Sequence, residues 1–188
     1  MSFDVVIVGA GLVGSSLALA LREGGLRIAL VEPEPPAPLA RDAGWDARVY
    51  AISPGSASFL ADCGVWSRLD SARVGPVTEM EVFGDDGVSR LRFSAYDAGV
   101  PELAFIVESR LLQAAIWEAL QEVPELELLC PGRCSTLRVE DECAVLTLDD
   151  GRVLETRLVV GADGRDSWVR AESGIEGTRS TESEWRTR

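Results

Sequence analysis

The stretch DVVIVGAGLVGSSLALALREGGLRIALVE, residues 4–32, leaves this chain few folds to choose from. Val5, Val6, Ile7 and Val8 form an apolar, mostly β-branched run, as expected of a strand buried on both faces. Gly9, Ala10, Gly11, Leu12, Val13 and Gly14 follow at once. Residues at helical spacing come next, and Leu12, Ser16, Leu19 and Ala20 are expected on the inner stripe. A second apolar run over residues 27–31 ends in Glu32. Strand, glycine turn, helix, strand and acid in that order make the start of a dinucleotide-binding fold. Gly9 allows the tight turn, Gly11 lets the backbone approach a pyrophosphate, and Gly14 lets helix and strand pack closely. The unpaired N–H groups and dipole of the helix start then face the anion. Glu32, 18 residues past Gly14, accepts hydrogen bonds from ribose hydroxyls and disfavours a 2′-phosphate. The expected nucleotide is therefore FAD or NAD rather than NADP.

Composition narrows the chemistry. The chain has no His, and all 18 of its basic residues are Arg. That removes the Walker-type phosphate loop, the Schiff-base lysine, Ser-His and Cys-His nucleophile systems, and His-based metal sites. The net charge of −13 repels phosphate backbones, so nucleic-acid binding is not expected. No apolar run reaches the length of a membrane span, and the chain opens directly on its first strand, so a cytoplasmic protein is expected. Cys63, Cys130, Cys134 and Cys143 form no CxxC pair and read as buried free thiols, with no metal site.

Further along, residues 33–38 are proline-rich and read as a surface loop. Ser53-Pro54 starts a helix that stops at Gly64. Over residues 78–107 the texture changes. Met80 and Val82, then Leu91 and Phe93, alternate around a Gly84-Asp85-Asp86-Gly87 turn, which predicts an antiparallel hairpin, and residues 104–107 form a further strand. Ser109 is expected to cap a helix whose inner stripe is Leu111, Leu112, Ala115, Ile116 and Ala119. A strand over 126–130 returns to the first sheet, and strands over 133–139, 143–148 and 153–160 form a three-stranded meander. The meander ends in Gly161-Ala162-Asp163-Gly164-Arg165-Asp166-Ser167. Residues 175–188 carry no periodic stripe and read as a frayed tail.

Three stretches together resemble the class A flavoprotein aromatic monooxygenases, the fold of para-hydroxybenzoate hydroxylase. They are VIVGAGLVGSSLALAL…VE at the amino end, Asp46-Ala47-Arg48…Ala51-Ile52-Ser53, and residues 159–170, VVGADGRDSWVR. DARVYAIS and Phe105-Ile106-Val107-Glu108-Ser109-Arg110 are similar to the ubiquinone-biosynthesis hydroxylase branch. The resemblance implies an α/β fold. Its FAD-binding domain (residues 1–77 and 108–174) is Rossmann-like, with a central parallel sheet, helices on one face and the antiparallel meander on the other. Residues 78–107 would begin a β-sheet substrate domain.

The resemblance places the FAD pyrophosphate on Gly9, Gly11 and Gly14, and the adenosine ribose on Glu32. It brings Arg48 to the flavin side and Arg110 to the ribityl and phosphate region. Asp163 becomes the aspartate of a motif supporting FAD and NAD(P)H binding. Each has a structural alternative: Arg48 a surface partner of Asp46, Arg110 a solvated first-turn residue, Asp163 a turn and helix cap, Glu32 a strand-end acid. The implied activity is hydroxylation of a polyprenylated phenol or benzoquinol by O₂ with NAD(P)H as reductant, at a peripheral membrane location or in an assembly. No residue is identified as acid, base or nucleophile. A third flavin motif of the family, Gly-Asp with small residues after it, has no counterpart beyond Asp163, so a truncated family member is expected. A nucleotide-binding module without turnover, and an NAD-dependent dehydrogenase, are the alternative readings.

Overall fold

The computed structural model describes residues 1–40 and 44–175. The expected frayed tail lies, from residue 176 onward, outside the described residues. β1 (Ser2–Val8) leads through the glycine turn into α1 (Leu12–Leu21) and back to β2 (Ile28–Val31). β2 pairs in parallel with β1 on one side and with β8 (Leu126–Leu129) on the other. β1's other neighbour is β11 (Val153–Gly161), also parallel. β11 turns back antiparallel onto β10 (Ala144–Leu148), and β10 onto β9 (Cys134–Val139). The resulting order is β8-β2-β1-β11-β10-β9.

The period-two alternation of β1 and β2 supplies two cores. Val5, Ile7, Ile28 and Leu30 face the helices, packing with Ala18 and Leu19 of α1 and with Leu111, Leu112, Ala115, Ile116 and Ala119 of α4 (Ser109–Gln121). Val6, Val8, Ala29 and Val31 face the other way, where Leu146 and Leu148 of β10 and Leu154 of β11 cover them. α1 and α4 thus lie on one face, and the meander, with Val169 of the carboxyl-terminal helix packed against it, closes the other.

Between β2 and α4 the chain builds a second layer. β3 (Val49–Ile52) precedes α2 (Pro54–Asp62), whose N-cap Ser53 accepts a hydrogen bond from the Ser56 N–H, with Pro54 at the first position. Two 3₁₀ turns (Trp66–Arg68 and Ser71–Arg73) lead to β4 (Val74–Val77). β7 (Ala104–Glu108) inserts between β3 and β4, antiparallel to both. The hairpin of β5 (Glu79–Phe83) and β6 (Arg90–Ser94) stands as its own two-stranded sheet, followed by the one-turn α3 (Ala95–Ala98). Met80 lies opposite Phe93 and Val82 opposite Leu91, giving one apolar face whose four side chains are all exposed. The last element, α5 (Trp168–Glu172), packs on β11 and β9.

Four sequence expectations shift. The buried face of α1 is Gly14, Ser15, Ala18 and Leu19, with Ser16 only half-buried and Ala20 exposed. The glycine turn sets the helix phase, because Gly14 must face Gly9. The N-cap of α4 is Glu108, in extended backbone, and Ser109 is already helical. The strand over residues 104–107 joins β3 and β4 rather than the hairpin. Cys63 alone of the four thiols is fully buried.

Candidate functional site

Strand register collects the candidate residues. Val8, Val31, Leu129 and Gly161 are level across the sheet, so Gly9, Glu32, Cys130 and Ala162 all emerge at one edge. β2 and β11 flank β1 on opposite sides, and open α/β sheets leave a crevice for ligands outside the carboxyl ends of such strands.

The glycines divide by what surrounds them. Gly9 has φ +103°, and a Cβ there would stand 2.5 Å from the Ala162 carbonyl oxygen. A Cβ on Gly14 would stand 2.0 Å from the Gly9 carbonyl oxygen. Both are required by the fold itself. Gly11 is different: its backbone is extended (φ −67°, ψ −177°), and nothing lies within 4 Å of where its Cβ would be. No protein atom lies close enough to require glycine there. α1 has no side-chain N-cap and no acidic residue in its first turn, so its N-terminal N–H groups face outward uncompensated.

Glu32 Oε2 accepts from the Ala10 N–H at 2.6 Å, which orders the carboxylate beside the turn. The Ala10 carbonyl oxygen takes the Ser15 hydroxyl (2.9 Å) and Gln113 Nε2 (3.1 Å). Ser15 and Gln113 carry no motif signal of their own, and sequence reasoning missed both. A cavity of about 400 Å³ opens beyond the turn, lined by Gly9, Glu32, Gly132, Cys134, Asp163 and Trp168. A hollow of about 440 Å³ between the β9–β10 turn and α5 carries none of the candidate residues.

Asp163 reaches this cavity, but its oxygens are occupied. Oδ1 accepts from the Ser167 hydroxyl (2.6 Å) and Oδ2 from the Val169 N–H (3.0 Å). Burial pushes its carboxyl up, and those hydrogen bonds outweigh it and hold it below the usual range. Asp163 thus takes an N–H in the first turn of α5, while the N-cap itself is Ser167, whose hydroxyl accepts from the Arg170 N–H (3.0 Å). Burial, with Asp163 and Asp149 adding to it, pushes the Cys134 thiol up to about 11, so it stays protonated at neutral pH and is no nucleophile.

Arg48 and Arg110 meet elsewhere, around residues 44–48. Asp46 Oδ1 accepts from the Arg48 backbone N–H (3.0 Å), while Asp46 Oδ2 pairs with Arg110 Nε (3.4 Å). Arg110 Nη2 also reaches the Gly44 carbonyl oxygen (3.4 Å). Asp46 therefore pairs with Arg110 and not with the Arg48 guanidinium, which is exposed. Beneath them lies Glu108, 3% exposed, bound through Oε1 to Arg73 Nε (2.7 Å) and through Oε2 to Arg73 Nη2 (2.6 Å) and the Asp46 N–H (2.6 Å). Sequence reasoning missed Arg73 altogether.

The Arg73 hydrogen bonds hold the Glu108 carboxyl below its ordinary value of 4.5, against the opposing effect of burial. A depressed folded-state pKa stabilises the fold above the ordinary value, and that contribution is lost as pH falls below it. Glu108→Gln is accordingly expected to be less stable than wild type at pH 7, with the gap closing below pH 4.5. Urea midpoints between pH 7 and pH 3 test this, and a gap that stays constant would refute it.

A parallel-centred α/β sheet with helices on one face, a meander on the other and a bare helix start at its switch point defines the dinucleotide-binding class. A family model for the FAD binding domain matches residues 2–187, and the chain belongs to that family. It is 37% identical over 172 residues to the 3-demethoxyubiquinol 3-hydroxylase of Escherichia coli, covering 92% of this chain and 44% of that protein. It is 38% identical to ubiquinone hydroxylase UbiL of Rhodospirillum rubrum, over 92% of this chain and 39% of that one. The crystal structure of PqsL from Pseudomonas aeruginosa, a probable FAD-dependent monooxygenase, superimposes with a TM-score of 0.73 at 27% identity. That match covers 96% of this chain and 48% of PqsL. The chain thus spans less than half the length of these relatives. No described helix is long and apolar enough to cross a membrane.

Proposed function

We propose that this chain is the FAD-binding portion of an NAD(P)H-using aromatic-ring hydroxylase of ubiquinone biosynthesis, acting on a polyprenylated phenol or benzoquinol. The observation that carries the reading is Gly11, a glycine with no internal reason to be one, at the open start of α1. In this reading the N–H groups of α1 take the pyrophosphate, and Glu32, fixed by Ala10, takes the adenosine ribose. Arg48 and Arg110 lie beyond the turn on the flavin side, where a guanidinium counters phosphate or ring charge. Asp163 shapes the cavity wall through its hydrogen bonds to Ser167 and Val169. Bound flavin supplies the oxygen-transfer chemistry, and the protein orients it and excludes water. Residues 1–77 and 108–174 form the nucleotide domain in this reading, and the exposed hairpin begins the substrate domain. A prenylated substrate would bring the whole protein to a membrane surface.

The length relation to the relatives favours a second reading, in which these 188 residues bind flavin without turnover. Titrating the chain with FAD, following flavin fluorescence, tests the site. Saturable binding is expected, weakened about tenfold in Glu32→Ala, roughly one hydrogen bond to a charged group. NADH binding without FAD binding would overturn the flavin assignment and revive the dehydrogenase reading. NAD(P)H oxidation stimulated by a phenol would exclude the reading without turnover.

A further inference from the structure

Four backbone groups of the segment 44–48 are tied down by hydrogen bonds. The Gly44 carbonyl oxygen takes Arg73 Nη2 (3.2 Å) and Arg110 Nη2 (3.4 Å). The Asp46 N–H donates to Glu108 Oε2, the Arg48 N–H to Asp46 Oδ1, and the Arg48 carbonyl oxygen accepts from the Ser109 N–H (2.9 Å). Glu108 is the centre of this clamp. It is the last residue of β7, level with Val49, and Arg73 fills its remaining acceptor positions with two short bonds. The Arg73 guanidinium also lies 5.1 Å from the Trp45 ring centroid. All of this holds in place a segment whose Arg48 side chain projects outward.

Stability alone is a weak account of that arrangement. A buried ion pair is commonly no more stabilising than well-packed apolar residues of similar volume. What the pair provides that apolar residues would not is a fixed position for residues 44–48.

The clamp is also placed with respect to the nucleotide. Ala10, at the centre of the glycine turn, is held from two directions: Glu32 takes its N–H, and Gln113 donates to its carbonyl. The cavity lies on the Glu32 side. Gln113 belongs to α4, and Arg110 stands three residues before it on the same helix face. A dinucleotide with its ribose at Glu32 and its pyrophosphate at the turn therefore continues past Gln113 towards Arg110 and residues 44–48.

We propose that Arg73 and Glu108 are positioning residues that fix the 44–48 segment so that Arg48 and Arg110 grip the half of the dinucleotide beyond its adenosine diphosphate. This rests on the FAD reading above. It assigns Arg73 and Glu108 an effect on FAD that they do not have on ADP.

The test compares ADP and FAD affinities of the 188-residue chain by calorimetry, with the absorbance spectrum of bound flavin as a second readout. Variants are Arg73→Met, Arg73→Lys and Glu108→Gln. Wild type is expected to bind FAD more tightly than ADP. In Arg73→Met, FAD affinity falls about tenfold, the worth of roughly one charge-assisted hydrogen bond, while ADP affinity stays within about twofold. The bound-flavin spectrum moves towards that of free FAD, and Arg73→Lys recovers part of the loss. ADP affinity reports an intact turn and α1, so a general loss of structure would lower both affinities together. If Arg73→Met does not fold, the near-isosteric Glu108→Gln gives the same readout. An unchanged FAD-to-ADP ratio in the variants, or equal losses for both ligands, would overturn the proposal while leaving the FAD reading intact. A wild-type chain that prefers FAD no more than ADP would overturn both.

Discussion

Gly14→Ala is expected to destabilise the protein by about 2 kcal/mol, although alanine is the better helix former. Helix propensity alone would favour alanine by about 1 kcal/mol. Against that stands the Gly9 carbonyl oxygen, 2.0 Å from the new methyl carbon, and the Ala162 Cβ, 3.0 Å from it. Forcing atoms into a packed site costs about 1–3 kcal/mol and occasionally more. Here the obstacle is backbone in the turn itself, held in place by the bond from the Gly9 N–H to the Val31 carbonyl. The helix must move away, and the clash wins over propensity. Thermal unfolding should show a melting temperature lower by about 4–8 °C for a chain of this size. Nucleotide affinity should fall with it, because the N–H groups at the start of α1 move too. An unchanged melting temperature would mean that α1 approaches the turn less closely than described.

Gly11→Ala reverses that pattern. With open space around the new methyl and an ordinary extended backbone, stability should change by less than about 1 kcal/mol. FAD affinity should fall by about a hundredfold. In the proposed FAD site the methyl group would stand where the pyrophosphate approaches, and losing two hydrogen bonds to a charged group at about 1.5 kcal/mol each gives that factor. Melting curves and FAD titrations on the two variants should therefore differ: Gly14→Ala lowers both stability and affinity, Gly11→Ala affinity alone. If Gly11→Ala binds FAD as wild type does, the pyrophosphate does not pass over residue 11.

Much of this architecture was legible because its signals are local. The glycine turn, Glu32 at the strand end, the stripe of α4 and the Ser53-Pro54 helix start each need only a few neighbouring residues to declare themselves. The hairpin declared itself through alternation on both sides of a Gly-Asp-Asp-Gly turn. Other features depend on relations that no short window contains. The phase of α1 follows from Gly14 meeting Gly9, not from its own apolar spacing, which is nearly uniform over residues 17–21. β3 and β4 were missed as strands because each is four residues long, and β4 contains both Gly75 and Pro76. Arg73 was missed because its partner Glu108 lies 35 residues away and Arg73 belongs to no motif. Asp163 was legible as a site residue and as a cap; in the structure the N-cap of α5 is Ser167, and Asp163 accepts from the Ser167 hydroxyl and the Val169 N–H. Among the described residues, the site that emerges is wider than its motifs. It includes Ser15 and Gln113 holding Ala10, and Glu108 holding residues 44–48.

The parallel pairing of β1 with β11 has a consequence for how the molecule comes to exist. Val8 lies beside Gly161, and the glycine turn leans on Ala162, so the first strand finds its neighbour only near the far end of the described chain. Contacts of such wide sequence separation make for slow folding, since a long loop must close before they reward it. During synthesis at about 5–20 residues per second, β1 would wait roughly 8–30 s for β11 to be made. Through that interval the apolar residues Val5 to Val8 have one side of their ladder open, a state exposed to mispairing. The pocket at Gly9 is thus among the last features to form, so nucleotide cannot act as a template for the early chain. It can reward only a chain that has already brought residue 161 back to residue 8.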